Sequence, residues 1–319
     1  MRVLVFGAGA IGSVLGGFLA KAGHDVTLLG RAWHLDVVRR DGLQISGIWG
    51  THHIHTLAIA TRWEEVAAQP FDWVFVCVKA HQTRVAAEEM ARHLDVRALV
   101  CAFQNGLGNY EILTEQIPPS RVALGRVIFG VELSSGHAHI TVCADDVLIG
   151  APDRRVPAES VSTLASALKA SGIPCRVTSD ILGVLWAKVL YNCALNGLST
   201  VLEAPYGKLL ERDVCRRLMR QIIEEVYRVA AARRLVLDPP TAEEYGTLLL
   251  TTLIPNTAAH HASMLQDVQR GRPTEIDAMN GAVVQLGKEA GVPTPANALV
   301  TRLVHAKERF AGVPGERDV

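Results

Sequence analysis

The chain has no excess charge of either sign, no paired-cysteine motif and only one long apolar run free of charge. Lys plus Arg and Asp plus Glu both number 32 in 319 residues, so nothing global directs it to nucleic acid or to a membrane surface. The six cysteines, Cys77, Cys101, Cys143, Cys175, Cys193 and Cys215, form no C-x-x-C pair, and most lie in apolar runs. They read as buried thiols of a reducing, cytoplasmic compartment, with no disulfide framework. The one uncharged run, residues 3–20, has the length of a leader or a membrane span. It holds five glycines, at 7, 9, 12, 16 and 17, and three of them stand where a phosphate-binding turn needs them. What the chain does have is a 49% hydrophobic fraction, ample for packed cores in two domains of ordinary size.

Those glycines organise the first half. Val3, Leu4, Val5 and Phe6 read as a buried strand. Gly7-Ala8-Gly9-Ala10-Ile11-Gly12 follows in the spacing G-x-G-x-x-G, ahead of an apolar helix over residues 13–22. The first glycine permits a tight turn, the second lets a pyrophosphate approach the backbone, and the third lets the helix pack on the strand. The helix start offers N–H groups and the positive end of its dipole to phosphates. After a second strand, residues 25–29, an NAD-specific site carries Asp or Glu for the ribose 2′-hydroxyl. Here Gly30 and Arg31 stand in that place. A carboxylate repels a 2′-phosphate, whereas a guanidinium holds it with paired hydrogen bonds. NADP is therefore expected over NAD; the plain alternative is that Arg31 is a solvated loop residue.

Residues 43–61 read as a β-rich excursion. His53 and His55 share a strand face there, beside His52, but no Cys or carboxylate lies close in sequence and no metal site is expected. Strands over 71–79 and 98–104 end in Lys79 and in Asn105-Gly106. Both ends fall at carboxyl ends of strands, where an open α/β sheet binds its ligand. Lys79 would contact cofactor phosphate or ribose, and Asn105 the nicotinamide half; the alternatives are a solvated lysine and a plain Asn-Gly turn. Further strands within 122–149, a helix over 158–171 and a last strand at 175–178 complete a Rossmann-type dinucleotide-binding domain, residues 1–178.

From Asp180 the pattern turns helical, giving an all-helical second domain, residues 179–319. Asp180 caps a long apolar helix that runs to about Leu198. Lys188, Asn192 and Asn196 interrupt it at i, i+4 and i+8, one polar stripe on one face. Burying such amides unpaired would cost roughly 1–3 kcal/mol each, and the ammonium more. A binding cleft suits the stripe: Lys188 protonates a carbonyl oxygen while hydride arrives from a nicotinamide, and the amides hold hydroxyl or carboxylate groups. The alternatives are a solvated face, which the apolar flanks disfavour, or a stripe paired with a neighbouring helix. A second constellation follows. Residues 258–267 read as a helix carrying Ser263, Gly271-Arg272-Pro273 interrupts it, and Thr274 opens a new helix with Glu275 and Asp277 in its first turn. On these residues alone Glu275 is a partner for the helix dipole and Ser263 a small residue at a helix crossing. A last helix starts at Pro295 and runs to about Phe310, with a loose tail from Gly312.

The combination resembles the ketopantoate reductase (2-dehydropantoate 2-reductase) family. It rests on Gly7 to Gly12, Val78-Lys79-Ala80, Gln104-Asn105-Gly106-Leu107-Gly108, and Leu185-Trp186-Ala187-Lys188-Val189-Leu190-Tyr191-Asn192 with Asn196. Ser263-Met264-Leu265-Gln266-Asp267 leading to Thr274-Glu275-Ile276-Asp277 completes it, in this order over nearly the whole chain. The resemblance implies reduction of a branched 2-oxo acid, 2-dehydropantoate, to pantoate with NADPH, on the route to pantothenate and coenzyme A. By the same resemblance Lys188 would be the general acid, and Asn192, Asn196 and Ser263 would bind substrate. Lys79, Asn105 and Glu275 would serve the cofactor side and Arg31 the 2′-phosphate.

There are departures. Tyr206 stands where the family often has asparagine before the glycine matching Gly207. His260 replaces an asparagine three residues ahead of Ser263, and Arg126-Val127-Ile128-Phe129-Gly130-Val131 replaces a threonine-rich stretch near the cofactor. The alternative within the class is a paralogous reductase of another branched or aromatic 2-oxo acid. The alternative of another class is an NADP-binding regulatory protein without turnover, against which Lys188 and the two asparagines speak, since a sensor needs no proton donor. The expected partner is a small 2-oxo acid, with no nucleic acid and no membrane, and the chain acts as a monomer or homodimer.

Overall fold

The computed structural model describes residues 1–66 and 69–313. They form two units, one of Met1–Gln104 with Asn109–Ile181, the other of Asn105–Gly108 with the chain from Leu182 onward. The division expected after residue 178 thus falls after Ile181, and residues 105–108 are lent to the second unit.

In the first unit strands and helices alternate: β1 (Arg2–Phe6), α1 (Ala10–Lys21), β2 (Asp25–Leu29), α2 (Ala32–Asp41), β3 (Leu43–Gly47), β4 (His52–Ile54), β5 (Ala58–Ala60), β6 (Trp73–Val76), α3 (Thr83–His93), β7 (Leu99–Ala102), α4 (Asn109–Thr114), β8 (Val122–Arg126), β9 (Phe129–Ser134), β10 (His137–Cys143), β11 (Val147–Gly150), α5 (Ala158–Ser171) and β12 (Cys175–Val177). Eight strands make the main sheet in the order β12-β11-β8-β7-β6-β1-β2-β5. All pairings in it are parallel except β8 with β11. From β1 the chain builds outward to β2 on one side and then to β6 on the other. The strand order therefore reverses at the carboxyl end of β1, the switch point at which such sheets bind ligands.

A smaller sheet, β4-β3-β10-β9, accounts for most of the β-rich excursion, while β5 closes the edge of the main sheet. Helix α1 packs on both sheets because Gly16 and Gly17 leave room. A methyl group at Gly16 would come within 2.6 Å of Leu28 on β2, and one at Gly17 within 2.6 Å of Ile45 on β3. The uncharged run of residues 3–20 is thus β1 and α1, and its members Val5, Val14, Leu15 and Leu19 are core. Helix α2 gave no signal that stood out in the sequence.

The second unit is helical: α6 (Ile181–Leu202), α7 (Tyr206–Leu210), α8 (Asp213–Ala232), α9 (Ala242–Leu248), a π turn at Leu249–Leu253, α10 (Ile254–Asn256), α11 (Ser263–Gln269), α12 (Asn280–Ala290) and α13 (Pro295–Phe310). By length and composition alone α6 could cross a bilayer, although Lys188 interrupts its apolar run. In the structure 67% of its apolar window is buried inside the protein. Trp186, Leu190 and Cys193 pack with Met219, Ile223 and Val226 of α8 and with Val283 and Val300 of α12 and α13. The buried carboxylate of Glu225 is satisfied by the start of α13, accepting from the N–H groups of Ala296 at 2.8 Å and Asn297 at 2.9 Å.

One expectation changes here. The helix placed over residues 258–267 begins only at Ser263. The carbonyls of Ala258 and His260 instead accept from Gly207 and Tyr206, at 2.9 and 3.1 Å, so the segment before Ser263 follows α7 rather than its own helical ladder. Of the tail expected from Gly312, residues 314–319 lie outside the described residues, and Val313 is buried.

Candidate active site

The glycine turn leaves β1 at the switch point. Gly7 has φ +103°, and a methyl group there would lie 2.5 Å from the Val78 nitrogen; one at Gly12 would lie 2.3 Å from the Gly7 oxygen. At Gly9 the same methyl group meets nothing within 4 Å. Two glycines therefore serve close packing and the middle one faces open space, the division of labour that phosphate binding needs. The N–H groups of Gly7 and Ala8 both donate to the Leu29 carbonyl, at 2.9 and 3.1 Å. Those of Ala10, Ile11 and Gly12 open α1, where the helix supplies no carbonyl to receive them. Arg31 is exposed at the N-cap of α2, directly past β2, and no carboxylate ends that strand. The residues present fit a dinucleotide that carries a 2′-phosphate.

Lys79 is half-buried and caps a one-turn helix, Ala80–Gln82; the strand expected to reach it stops at Val76. The segment is held by Gln104, whose amide donates to the Val78 carbonyl at 2.9 Å and to Thr83 Oγ1 at 2.7 Å. Gln104 neighbours Asn105 in sequence, yet only the fold gives it this duty.

Within the second unit, Lys188, Asn105 and Glu275 meet. Lys188 Nζ donates to Asn105 Oδ1 at 2.6 Å, and Asn105 Nδ2 donates to Glu275 Oε2 at 3.3 Å. The Asn105 amide is therefore oriented from both ends, by an ammonium and by a carboxylate. Backbone geometry explains its presence. Gly106 takes φ +89°, and a methyl group on it would lie 2.3 Å from the Ala278 carbonyl, which also accepts from Leu107 N–H at 2.8 Å. Glu275 was expected in the first turn of a long helix. It instead precedes a single turn, Ile276–Ala278, and α12 starts only at Asn280. Glu308 and His305 of α13 secure that turn: Thr274 N–H donates to Glu308 Oε1 at 2.7 Å, and His305 bridges Asp277 and Glu308 at 2.9 Å each. Those two carboxylates hold the His305 imidazole charged, with its pKa raised to about 10.

Along the α6 stripe, Lys188 and Asn192 are half-buried, whereas Asn196 is buried. Asn196 has partners of its own. Its Oδ1 accepts the Tyr206 hydroxyl, and its Nδ2 points to Met279 Sδ at 3.6 Å. The Tyr206 ring, 1% exposed, packs against the rings of His260 and Tyr191 with centroids 5.1 and 6.0 Å away. Burial pushes the Tyr206 hydroxyl pKa up and the His260 pKa down. The structure thus joins two of the three departures from the family pattern, Tyr206 and His260, to the end of the stripe, a link the sequence did not announce. Ser263 is exposed as the first residue of α11. Among the described residues no group of three or more His, Cys, Asp or Glu is placed to hold a metal ion. His53 Nε2 instead bonds the Asp41 carbonyl at 2.7 Å.

Known proteins resemble the chain along nearly all of its length. The family described as ketopantoate reductase PanE/ApbA matches residues 3–154, and its C-terminal counterpart matches residues 180–308. The 2-dehydropantoate 2-reductase of Aquifex aeolicus is 39% identical, over 97% of this chain and 98% of its own. The crystal structure of a PanE/ApbA family ketopantoate reductase from Ralstonia eutropha JMP134 is similar with a TM-score of 0.88 at 31% identity, covering 98% of this chain and all (100%) of that one. D-mandelate dehydrogenase, solved in a ternary structure with NADH and anilino(oxo)acetate, is similar with a TM-score of 0.85 at 28% identity over 98% of this chain and 100% of its own. With both of its parts matched, the chain belongs to the ketopantoate reductase family.

Proposed function

We propose that the protein reduces the ketone of 2-dehydropantoate to the alcohol of pantoate with NADPH. The observation that carries this reading is the hydrogen-bonded series Lys188–Asn105–Glu275. NADPH, when bound, supplies the hydride. Gly7 to Gly12 and the first turn of α1 hold its pyrophosphate, and Arg31 and Lys79 bind its phosphate and ribose groups. Lys188 donates a proton to the ketone oxygen, which gains negative charge as its carbon is reduced. Asn105 takes one of the three ammonium protons and so aims the Nζ, while Glu275 fixes Asn105. Asn192, one turn further on the same face, and the Ser263 hydroxyl hold the substrate's carboxylate and hydroxyl groups. Asn196 enters this reading as the support of Tyr206 rather than as a group in contact with substrate. Lys188 recovers its proton from water after turnover. Six free cysteines support a reducing, cytoplasmic setting.

A second reading has its own support. The similarity to D-mandelate dehydrogenase and the ring cluster of Tyr206, Tyr191 and His260 favour an aromatic 2-oxo acid. An NADPH-oxidation assay over 2-dehydropantoate, a simpler branched 2-oxo acid and phenylglyoxylate decides. A kcat/KM highest for 2-dehydropantoate supports the first reading, and one highest for phenylglyoxylate replaces it with the second. No turnover with any of them would sink both.

A further inference from the structure

We infer that His34 is a positioning residue for the dinucleotide: through Ser13 it ties the glycine turn, and through α2 the Arg31 cap, to the β9–β10 turn of the small sheet. This rests on the dinucleotide reading of that turn given above.

His34 is 1% exposed and Ser13 is fully buried. Gly136, in the β9–β10 turn, donates its N–H to His34 Nδ1 at 3.0 Å. A backbone N–H can only donate, so Nδ1 is the acceptor and the ring proton sits on Nε2. Nε2 lies 3.0 Å from Ser13 Oγ and therefore donates to it. The Ser13 hydroxyl is left to donate to the Ala8 carbonyl, 3.4 Å away. Each group in the series gives in one direction and takes from the other, which a single neutral tautomer satisfies. Ala8 is the residue between the first two glycines of the turn, so fixing its carbonyl fixes the peptide that leads into the open N–H groups of α1.

His34 belongs to the first turn of α2. Its backbone N–H donates to the Arg31 carbonyl at 3.2 Å, and Ser135 Oγ donates to the Trp33 carbonyl at 2.7 Å. Gly136 packs against Val37 so closely that a methyl group on it would come within 2.5 Å. Three anchors thus hold the helix that carries Arg31 against one turn of the small sheet. The small sheet, which contributes no residue to the proposed chemistry, gains a role as the frame of the cofactor site.

The test uses the full chain. NADPH affinity is measured by fluorescence titration, and kcat and KM for the 2-oxo acid at saturating NADPH, in the wild type, His34→Leu, His34→Gln and Ser13→Ala. Glutamine offers one acceptor and one donor, leucine neither. The expected result is a roughly tenfold weaker NADPH affinity in His34→Leu, with kcat and substrate KM within about twofold. His34→Gln recovers most of the loss, and Ser13→Ala shows a smaller loss of the same kind. A folded His34→Leu with wild-type NADPH affinity overturns the inference, as does a fall in melting temperature alone. Should His34→Leu not fold, an unchanged affinity in Ser13→Ala overturns it equally. Failure of the wild type to bind NADPH would be a failure of the dinucleotide reading instead, and the two results cannot be confused.

Discussion

Adding one methyl group to the glycine turn at two positions should separate folding from cofactor binding. In Gly9→Ala the backbone, at φ −86° and ψ −158°, is one alanine adopts, and the new methyl group has no neighbour within 4 Å. Lower entropy of the unfolded chain stabilises by about 0.4–1 kcal/mol. Alanine is the poorer N-cap by about the same amount. The apoprotein should therefore be unchanged to within about 1 kcal/mol. In Gly12→Ala the methyl group lies 2.3 Å from the Gly7 oxygen and 2.9 Å from Val5, both on the strand side. Helix α1 must lift off β1, an overpacking that costs about 1–3 kcal/mol. Cofactor affinity reverses the ranking. The Gly9 methyl group occupies the space a pyrophosphate needs. Losing one or two charge-assisted hydrogen bonds, about 2–4 kcal/mol in total, weakens NADPH roughly 30- to 1,000-fold. Denaturant unfolding of the apoprotein and NADPH titration of each variant measure the two quantities. A Gly9→Ala protein that binds NADPH within threefold of wild type would refute the placement of the phosphates, and a Gly12→Ala protein of unchanged stability would refute the packing argument.

Other expectations follow from the same geometry. Lys188→Ala should lower kcat by about 10²–10⁴ with NADPH affinity kept; steady-state rates near wild type would remove Lys188 as the acid. Arg31→Ala should weaken NADPH by roughly tenfold or more, one lost charge-assisted pair, and leave NADH nearly untouched, as KM values for the two cofactors will show. Tyr206→Phe should leave the buried Asn196 oxygen without its donor and cost about 1–3 kcal/mol of stability while the substrate KM holds; a raised KM at unchanged stability would make Tyr206 a substrate ligand. His305 has a folded pKa of about 10, above the roughly 6.5 of an unfolded chain. Its contribution is therefore complete below about pH 6.5 and is lost as pH rises through about 10. The ring is 39% exposed, so solvent screening holds the amount to about 1 kcal/mol. The stability gap between wild type and His305→Ala should close across that window, and a gap independent of pH would count against it.

What could be read in advance was local. The β1–turn–α1 unit depends on a strand and a glycine spacing within a dozen residues, and the Lys188 stripe on a helical period, so both were legible. Strands β8 to β11 and helix α5 likewise follow from patterns contained in their own segments. Two of the missed features depend on partners far along the chain. Residues 258–262 have the composition of a helix, but their carbonyls are claimed by Tyr206 and Gly207, fifty residues earlier. Glu275 has the look of a helix-dipole carboxylate. Its turn is set instead by α13, through Glu308 and His305, and ends where Asn280 turns inward to bond the Cys193 carbonyl at 3.1 Å and Asn297 at 3.0 Å.

The trio at the centre of the proposed chemistry shows why a list of residues was readable while their arrangement was not. Lys188 comes from the middle of a helix, Asn105 from a left-handed turn after a strand, and Glu275 from a single turn braced by a distant helix. Each position carries a reason that is visible locally: a helical stripe, an Asn-Gly pair, a threonine before two carboxylates. Their meeting depends on residues 105–108 leaving the sheet unit to pack on Ala278, and no local pattern encodes that. The amide is what makes the meeting useful. A carboxylate at position 105 would form a direct ion pair with Lys188 and hold its proton back from the substrate. Asparagine accepts from the lysine and donates to the glutamate, so it links the proposed proton donor to Glu275 through a neutral group.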